Sequence, residues 1–367
     1  MLAAAIAVPL AAAGDVVAGS RAAAVPWRKA GPGWSIAEYS AASLPGAVHP
    51  AKARTVFYLV SPAGRRWAFY RAPTATTSPV LRLDDWSGDR QRILVDRRAG
   101  QRVVVEQISL ITGKVTTLFT LPWAGGPIEY TRPRGASVLT QVLGAKGILR
   151  YGLAGHLQRR LAPHTYWNSP LDAPSGQFVT AGPAISTGID QISNNGTVTR
   201  RIKFVSQCAP ERWWSATTLL AWCLGANPYK TPRRLWLIPF GGGSPKALTP
   251  RLRPHGRFLG YFNAFRTRGT VYLQADNFPD VRSIVRLARD GTQDTINVPG
   301  PAGVSPQIIT ARNGRLLVRS DVGTKAPGPG SLFWLNPATH GIQYLIRTPP
   351  GIYGVYGALV LGYQQPF

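Results

Sequence analysis

The stretch ISLITGKVTTLF, Ile108–Phe119, holds two alternating apolar runs joined by a polar turn that contains Gly113. Alternation puts every second side chain on one face, which is the period of a strand, and glycine supplies the positive φ that tight turns require. The stretch reads as a β-hairpin. Six others share its design: YLVSPAGRRWAFY around Gly64, YGLAGHLQRRL at Gly155, QISNNGTVTRRI at Gly196, LWLIPFGGGSPKAL at Gly241–Gly243, VRLARDGTQDTI at Gly291 and FWLNPATHGIQYLI at Gly341. Successive glycines stand about 41 to 50 residues apart. That period belongs to propeller blades, with four strands in each repeat. A helical repeat of similar length would carry an apolar period near 3.6, and almost no segment does.

A second element precedes most of these hairpins: a polar turn and then an apolar strand. It occurs as WSGDRQRILV, PRGASVLTQV, PSGQFVTA, WSATTLLAWC, RTRGTVYLQA and ARNGRLLVRS. Each blade is then two hairpins in series. The ends complement each other. The hairpin at Gly64 lacks a full strand before it, and the C-terminal GIYGVYGALVLGY supplies one with no hairpin after it. Joined, they make one complete blade and leave no open sheet edge. The expectation is an all-β chain forming one seven-bladed β-propeller of four-stranded antiparallel blades, closed by its C-terminal strand, with six or eight blades as the alternatives.

Charged residues make up only 16% of the 367, while Gly (39) and Pro (32) are plentiful, as short strands with many turns require. Lys and Arg number 42 against 16 Asp and Glu, a formal charge of +26. A field of that sign attracts polyanions. The basic residues come in short clusters, such as Arg65–Arg66, Arg97–Arg98, Arg159–Arg160, Arg200–Arg201 and Arg233–Arg234. No long basic run exists, which argues against a dedicated nucleic-acid tail.

The turn-plus-strand element WSGDRQRILV, Trp86–Val95, resembles the Trp-Ser-Pro-Asp-Gly signature of TolB-type, WD-like propeller repeats. Gly88 stands where that pattern has Pro, and Arg90 where it has Gly. Pro174-Ser175-Gly176 and Trp214-Ser215-Ala216 are more eroded copies. From Trp34 onward the chain is similar to uncharacterised exported TolB-like propeller proteins of high-GC actinobacteria, on YLVSPAG, LITGKV, YTRP, RLWLIP and LLV in that order. The resemblance implies the fold and export, and it assigns no activity. TolB itself binds a peptidoglycan-associated lipoprotein, a system that cells with a single membrane lack.

Residues Leu2 to Ala13 form an apolar stretch of signal-peptide length, too short to span a bilayer as a helix. Small-residue triplets follow at Ala11–Ala13 and Ala22–Ala24, and no cysteine follows that could carry a lipid. The domain expectation is an export signal or N-terminal anchor over 1–24, a linker over 25–33 and the propeller over 34–367. Cys208 and Cys223 are the chain's two cysteines. CAPERWWSATTLLAWC reads as an inner hairpin turning around Ser215–Thr217, which sets the cysteines opposite each other. In an exported protein they would form a disulfide across about 15 residues. Two cysteines with no histidine nearby cannot complete a tetrahedral zinc site. Trp213 and Trp214 must face opposite ways on a strand, and both read as core packing.

No catalytic constellation is legible. There is no Gly-x-Ser-x-Gly elbow. His49, His156, His164, His255 and His340 lack metal spacing, and Glu38, Glu106, Glu129 and Glu211 are the only glutamates. Asp84, Asp85 and Asp89 form the densest acidic cluster, without the ligand pattern of a calcium loop. Asn194–Thr197 fits a glycosylation acceptor but also a plain turn. No catalytic, cofactor or metal residue is assigned. The functional expectation is a non-enzymatic binding or scaffold propeller of the cell envelope, secreted or held at the cell surface, monomeric, meeting a protein partner, an anionic envelope polymer or a lipid surface. The alternative is a propeller lyase or hydrolase acting on acidic polysaccharide, with a carboxylate pair assembled from distant blades. A specific pocket would show as salt-resistant binding lost on one substitution, for instance at Arg233 or Arg234.

Overall fold

Seven four-stranded antiparallel sheets form the ring in the computed structural model. It describes residues 25–43, 55–72, 81–122, 125–142, 146–166, 170–184, 186–204, 206–225, 232–251, 258–277, 281–298, 305–321, 330–349 and 352–360. The stretch read as an export signal, 1–24, lies outside them. In blades two to seven the strands run outward in chain order. Their innermost strands are Arg82–Trp86, Gly125–Tyr130, Leu171–Asp172, Cys208–Trp213, Phe258–Thr267 and Ser305–Arg312. Blade one is built from both ends of the chain: Ile352–Val360 is innermost, followed by Ser35–Ser43, Thr55–Val60 and Arg66–Arg71. Ser35 pairs with Val360 and Ile36 with Leu359, so the expected closure by the last strand is present.

The buried apolar side chains fall into seven clusters, one at each joint between blades. Alternation along a strand explains this. On the second strand of blade two, Ile93 and Val95 enter the joint with blade one, while Leu94 enters the joint with blade three. Leu316 and Val318 pack toward blade six, and Leu317 toward blade one. Burying one such side chain stabilises by about 1.5–3 kcal/mol. A register slip of one residue would exchange the two joints. The segment 25–33 also packs: Val25 and Ala30 are buried against blade one, and Trp27 meets Phe69 edge-on at 4.9 Å.

Two sets of turns share one rim of the ring. One set follows the innermost strand in blades two to seven, and the other is the set of glycine hairpins that ends each blade. Both signature departures have structural reasons here. Gly88 approaches the Pro133 carbonyl of the next blade so closely that no Cβ would fit. Arg90 adopts φ +64, and its guanidinium donates to the Ala30 carbonyl at 2.9 Å. Cys208 and Cys223 are register partners and are bonded, Sγ–Sγ 2.08 Å.

Candidate functional site

Five acidic side chains bridge blade joints. Glu38 of blade one accepts the Leu83 amide of blade two at 2.9 Å. Asp85 accepts the Tyr130 amide of blade three at 2.8 Å. Glu129 accepts the Asp172 amide of blade four at 2.9 Å, and Asp172 accepts the Arg132 amide in return at 2.7 Å. Asn263 donates to Glu211 across the next joint but one at 2.7 Å, and Gln274 accepts the Ile308 amide of blade seven at 2.7 Å. A backbone amide buried at a joint needs an acceptor, and these side chains supply it.

Burial at the joints disfavours the charged carboxylates. It lifts Glu38 to about 8 and Asp172 to about 6, and it also raises Glu129. Asp84 is raised by burial and by neighbouring Asp96. Arg132 is buried and lies 2.9 and 3.1 Å from the two oxygens of Asp85. The acidic cluster of the sequence is therefore dispersed. Asp84 pairs with Arg82 at 3.1 Å, Asp85 with Arg132, and Asp89 with Arg92 at 2.5 Å. Among the described residues no three His, Cys, Asp or Glu side chains form a group that could hold a metal. His156 and His164 lie on blade three, in the turn before its outer strand and on that strand, and His340 lies on blade seven, while His49 and His255 lie outside the described residues.

One stretch of the turn rim has the opposite character, although Asp89 and Asp290 sit in rim turns of blades two and six. A depression of about 820 Å3 opens there across blades six, seven and one. Its walls are two turns that follow innermost strands, Thr267–Thr270 and Arg312–Arg315, with Asn336–Ala338, Pro32, Gly33 and Pro62 around them. Arg268, Arg312 and Arg315 line it, and no acidic residue does. Both turns have two central residues at positive φ: Arg268 at +49 and Gly269 at +77, Asn313 at +51 and Gly314 at +78. These are the mirror-image turns whose twist suits a two-residue hairpin. Thr267 Oγ1 accepts the Gly314 amide at 2.9 Å and fixes one turn against the other. Beside it, a smaller hollow holds Trp214, with Arg266 5.4 Å from its ring centroid, and Arg212, 4.5 Å from the ring centroid of Phe265.

Trp213 is buried in the joint with blade four and donates its indole N–H to the Asp172 carbonyl at 2.7 Å. Trp214 is only partly buried, because its position places it on the rim. Arg233 and Arg234 lie elsewhere: they stack over Trp222 and Trp236 at 5.1 and 5.0 Å and line neither hollow. Asn195, the acceptor of the Asn-Gly-Thr stretch, is engaged in its own turn, where its side-chain oxygen accepts the Thr197 amide at 3.0 Å. Sequence reading passed over Arg268, Arg312 and Arg315 because RTRGTVYLQA and ARNGRLLVRS read only as turns. The available signal was arginine within or beside the corresponding turns of two consecutive blades, although not at matching positions.

No family model matches the chain, and no curated protein matches it. Solved propeller structures do match. The β-propeller domain of the trilobed protease from Pyrococcus furiosus, described as having an open velcro topology, is 11% identical at TM-score 0.56, over 89% of this chain and 95% of that one. A prolyl endopeptidase is 11% identical at TM-score 0.54, over 92% of this chain, which spans 53% of that one. TolB from Acinetobacter baumannii is 12% identical at TM-score 0.46, over 87% of this chain and 64% of that one. At these identities the likeness is one of fold.

Proposed function

We propose that the chain is a non-enzymatic binding propeller of the cell envelope, exported by its first 24 residues, monomeric, and meeting an anionic partner with its turn rim. One observation carries this reading. Four carboxylates accept backbone amides inside the joints, while the rim depression presents three arginines and no acid. Such a rim attracts anionic polymer or lipid and repels cationic surfaces. The Cys208–Cys223 disulfide suits an oxidising compartment outside the cytoplasm.

Co-sedimentation with anionic vesicles across a salt series tests the reading. Exposed charges act over about 8 Å at physiological salt. Adsorption through many of them should be strong at low salt and fall steeply as salt rises, with single Arg→Ala changes mattering little. No adsorption at low salt would defeat the proposal. Turnover of an acidic polysaccharide by the purified protein would replace it with the lyase or hydrolase reading.

A further inference from the structure

The rim depression has features that a diffuse basic surface does not need. Arg268 occupies a left-handed backbone position, φ +49, that glycine or asparagine fills more easily. Asparagine fills the equivalent position in the neighbouring turn, at Asn313. An arginine held where its backbone is disfavoured points to a use for its side chain. That side chain crosses the next blade over a glycine: a Cβ at Gly314 would lie 3.1 Å from Arg268 Cδ and 3.2 Å from Nε. The arrangement repeats one blade on, where a Cβ at Gly33 would lie 3.4 Å from Nη1 of Arg312. Two guanidinium groups thus reach across successive joints, each over a glycine, into one hollow. Neither Arg268 nor Arg312 has a carboxylate partner among the described residues. Arg315 is held by Gln343 at 2.9 Å.

We infer that this hollow binds a phosphorylated sugar, with Arg268 and Arg312 on the phosphate. The inference rests on the reading of the chain as a binding propeller for anionic partners. Guanidinium groups present paired N–H donors that match phosphate oxygens, and two cations without a carboxylate partner among the described residues balance a dianionic monoester better than a single carboxylate. The hollow, at about 820 Å3, is far larger than a bare phosphate needs and lies in the range of sites for small organic ligands. The rest of its wall suits hydroxyl groups. The Asn313 side chain is exposed, Asn336 keeps its amide N–H2 free of the Ala338 contact that its oxygen makes, and Thr270 offers a hydroxyl.

Isothermal titration with glucose 6-phosphate at about twice physiological salt tests this, because screening there has removed most diffuse adsorption. Glucose 6-phosphate should bind, glucose should not, and glucuronate should bind at least roughly tenfold more weakly. Arg312→Ala alone, which leaves the strained turn untouched, should weaken binding roughly tenfold, and Arg268→Ala with Arg312→Ala further, each melting like the parent. The pair Arg159→Ala and Arg200→Ala, on outer strands of other blades, should leave affinity within about twofold. No heat from glucose 6-phosphate, glucuronate binding as tightly, or an equal loss in the outer pair would overturn the inference. Vesicle adsorption measured on the same samples separates the failures. If it persists without sugar-phosphate binding, only this site is wrong. If it too is absent, the binding reading falls with it.

Discussion

Glu38 accepts the Leu83 amide in a joint that shields it from water, and burial holds its carboxyl near 8 rather than 4.5. The unfolded chain therefore loses this proton as pH rises past 4.5, while the folded chain keeps it until about 8. Between those values the folded state binds the extra proton, so stability falls as pH rises. Asp172, raised from 3.8 to about 6, adds to the fall at the acidic end of the window. Glu38→Gln keeps an acceptor for Leu83 and removes the titration. The variant should match the parent at pH 5 and exceed it at pH 8 by about 2 kcal/mol or more in urea unfolding. Equal pH slopes for both proteins would refute the assignment. None of this was legible in the sequence, where Glu38 is one of four scattered glutamates. A carboxylate's task at a joint depends on which amide from another blade arrives beside it, some 45 residues away for Leu83. The arginines of the rim were hidden for the same reason. Arg268 and Arg312 lie 44 residues apart in sequence and share a hollow only because consecutive blades repeat one geometry.

Elements were far easier to read than sites. The hairpin at Gly113 shows why: its register and its positive φ at the turn depend on residues a few positions apart, so the local sequence contains the whole instruction. CAPERWWSATTLLAWC was legible in the same way, and Cys208 faces Cys223 in the register that its turn dictates. The bond closes a span of 15 residues, worth about 3 kcal/mol if it acts through the entropy of the unfolded chain. It also ties the inner hairpin of blade five together where Pro210 leaves that strand without one amide donor. Replacing both cysteines by serine should lower the unfolding free energy measured in urea by about that amount without changing the vesicle adsorption. A double variant as stable as the parent would show that the paired strands hold without the bond. Trp214 marks the limit of reading by element. Alternation correctly sends it to the face opposite Trp213, but its exposure depends on where the turn sits on the ring.

The ring as a whole depends on its last strand. Val355, Ala358 and Val360 complete the cluster between blades seven and one, and Ile352–Val360 pairs along Ser35–Ser43. A chain ending at Pro350 would lose these contacts and leave Ser35–Ser43 as a newly unpaired sheet edge. It should unfold over a broad range and aggregate, as followed by scanning calorimetry and light scattering. A truncated chain with the parent's sharp transition would show that the ring closes by other means. The complementary ends made this closure legible from sequence, since a strand without its hairpin and a hairpin without its strand can satisfy only each other. The pairing of Ser35 with Val360 also fixes how the seam carries load. Both residues sit at the same end of an antiparallel pair, so tension applied across them falls on the inter-strand hydrogen bonds one at a time. The seam then peels like a zipper instead of resisting in shear, although the same bonds act together to close the ring.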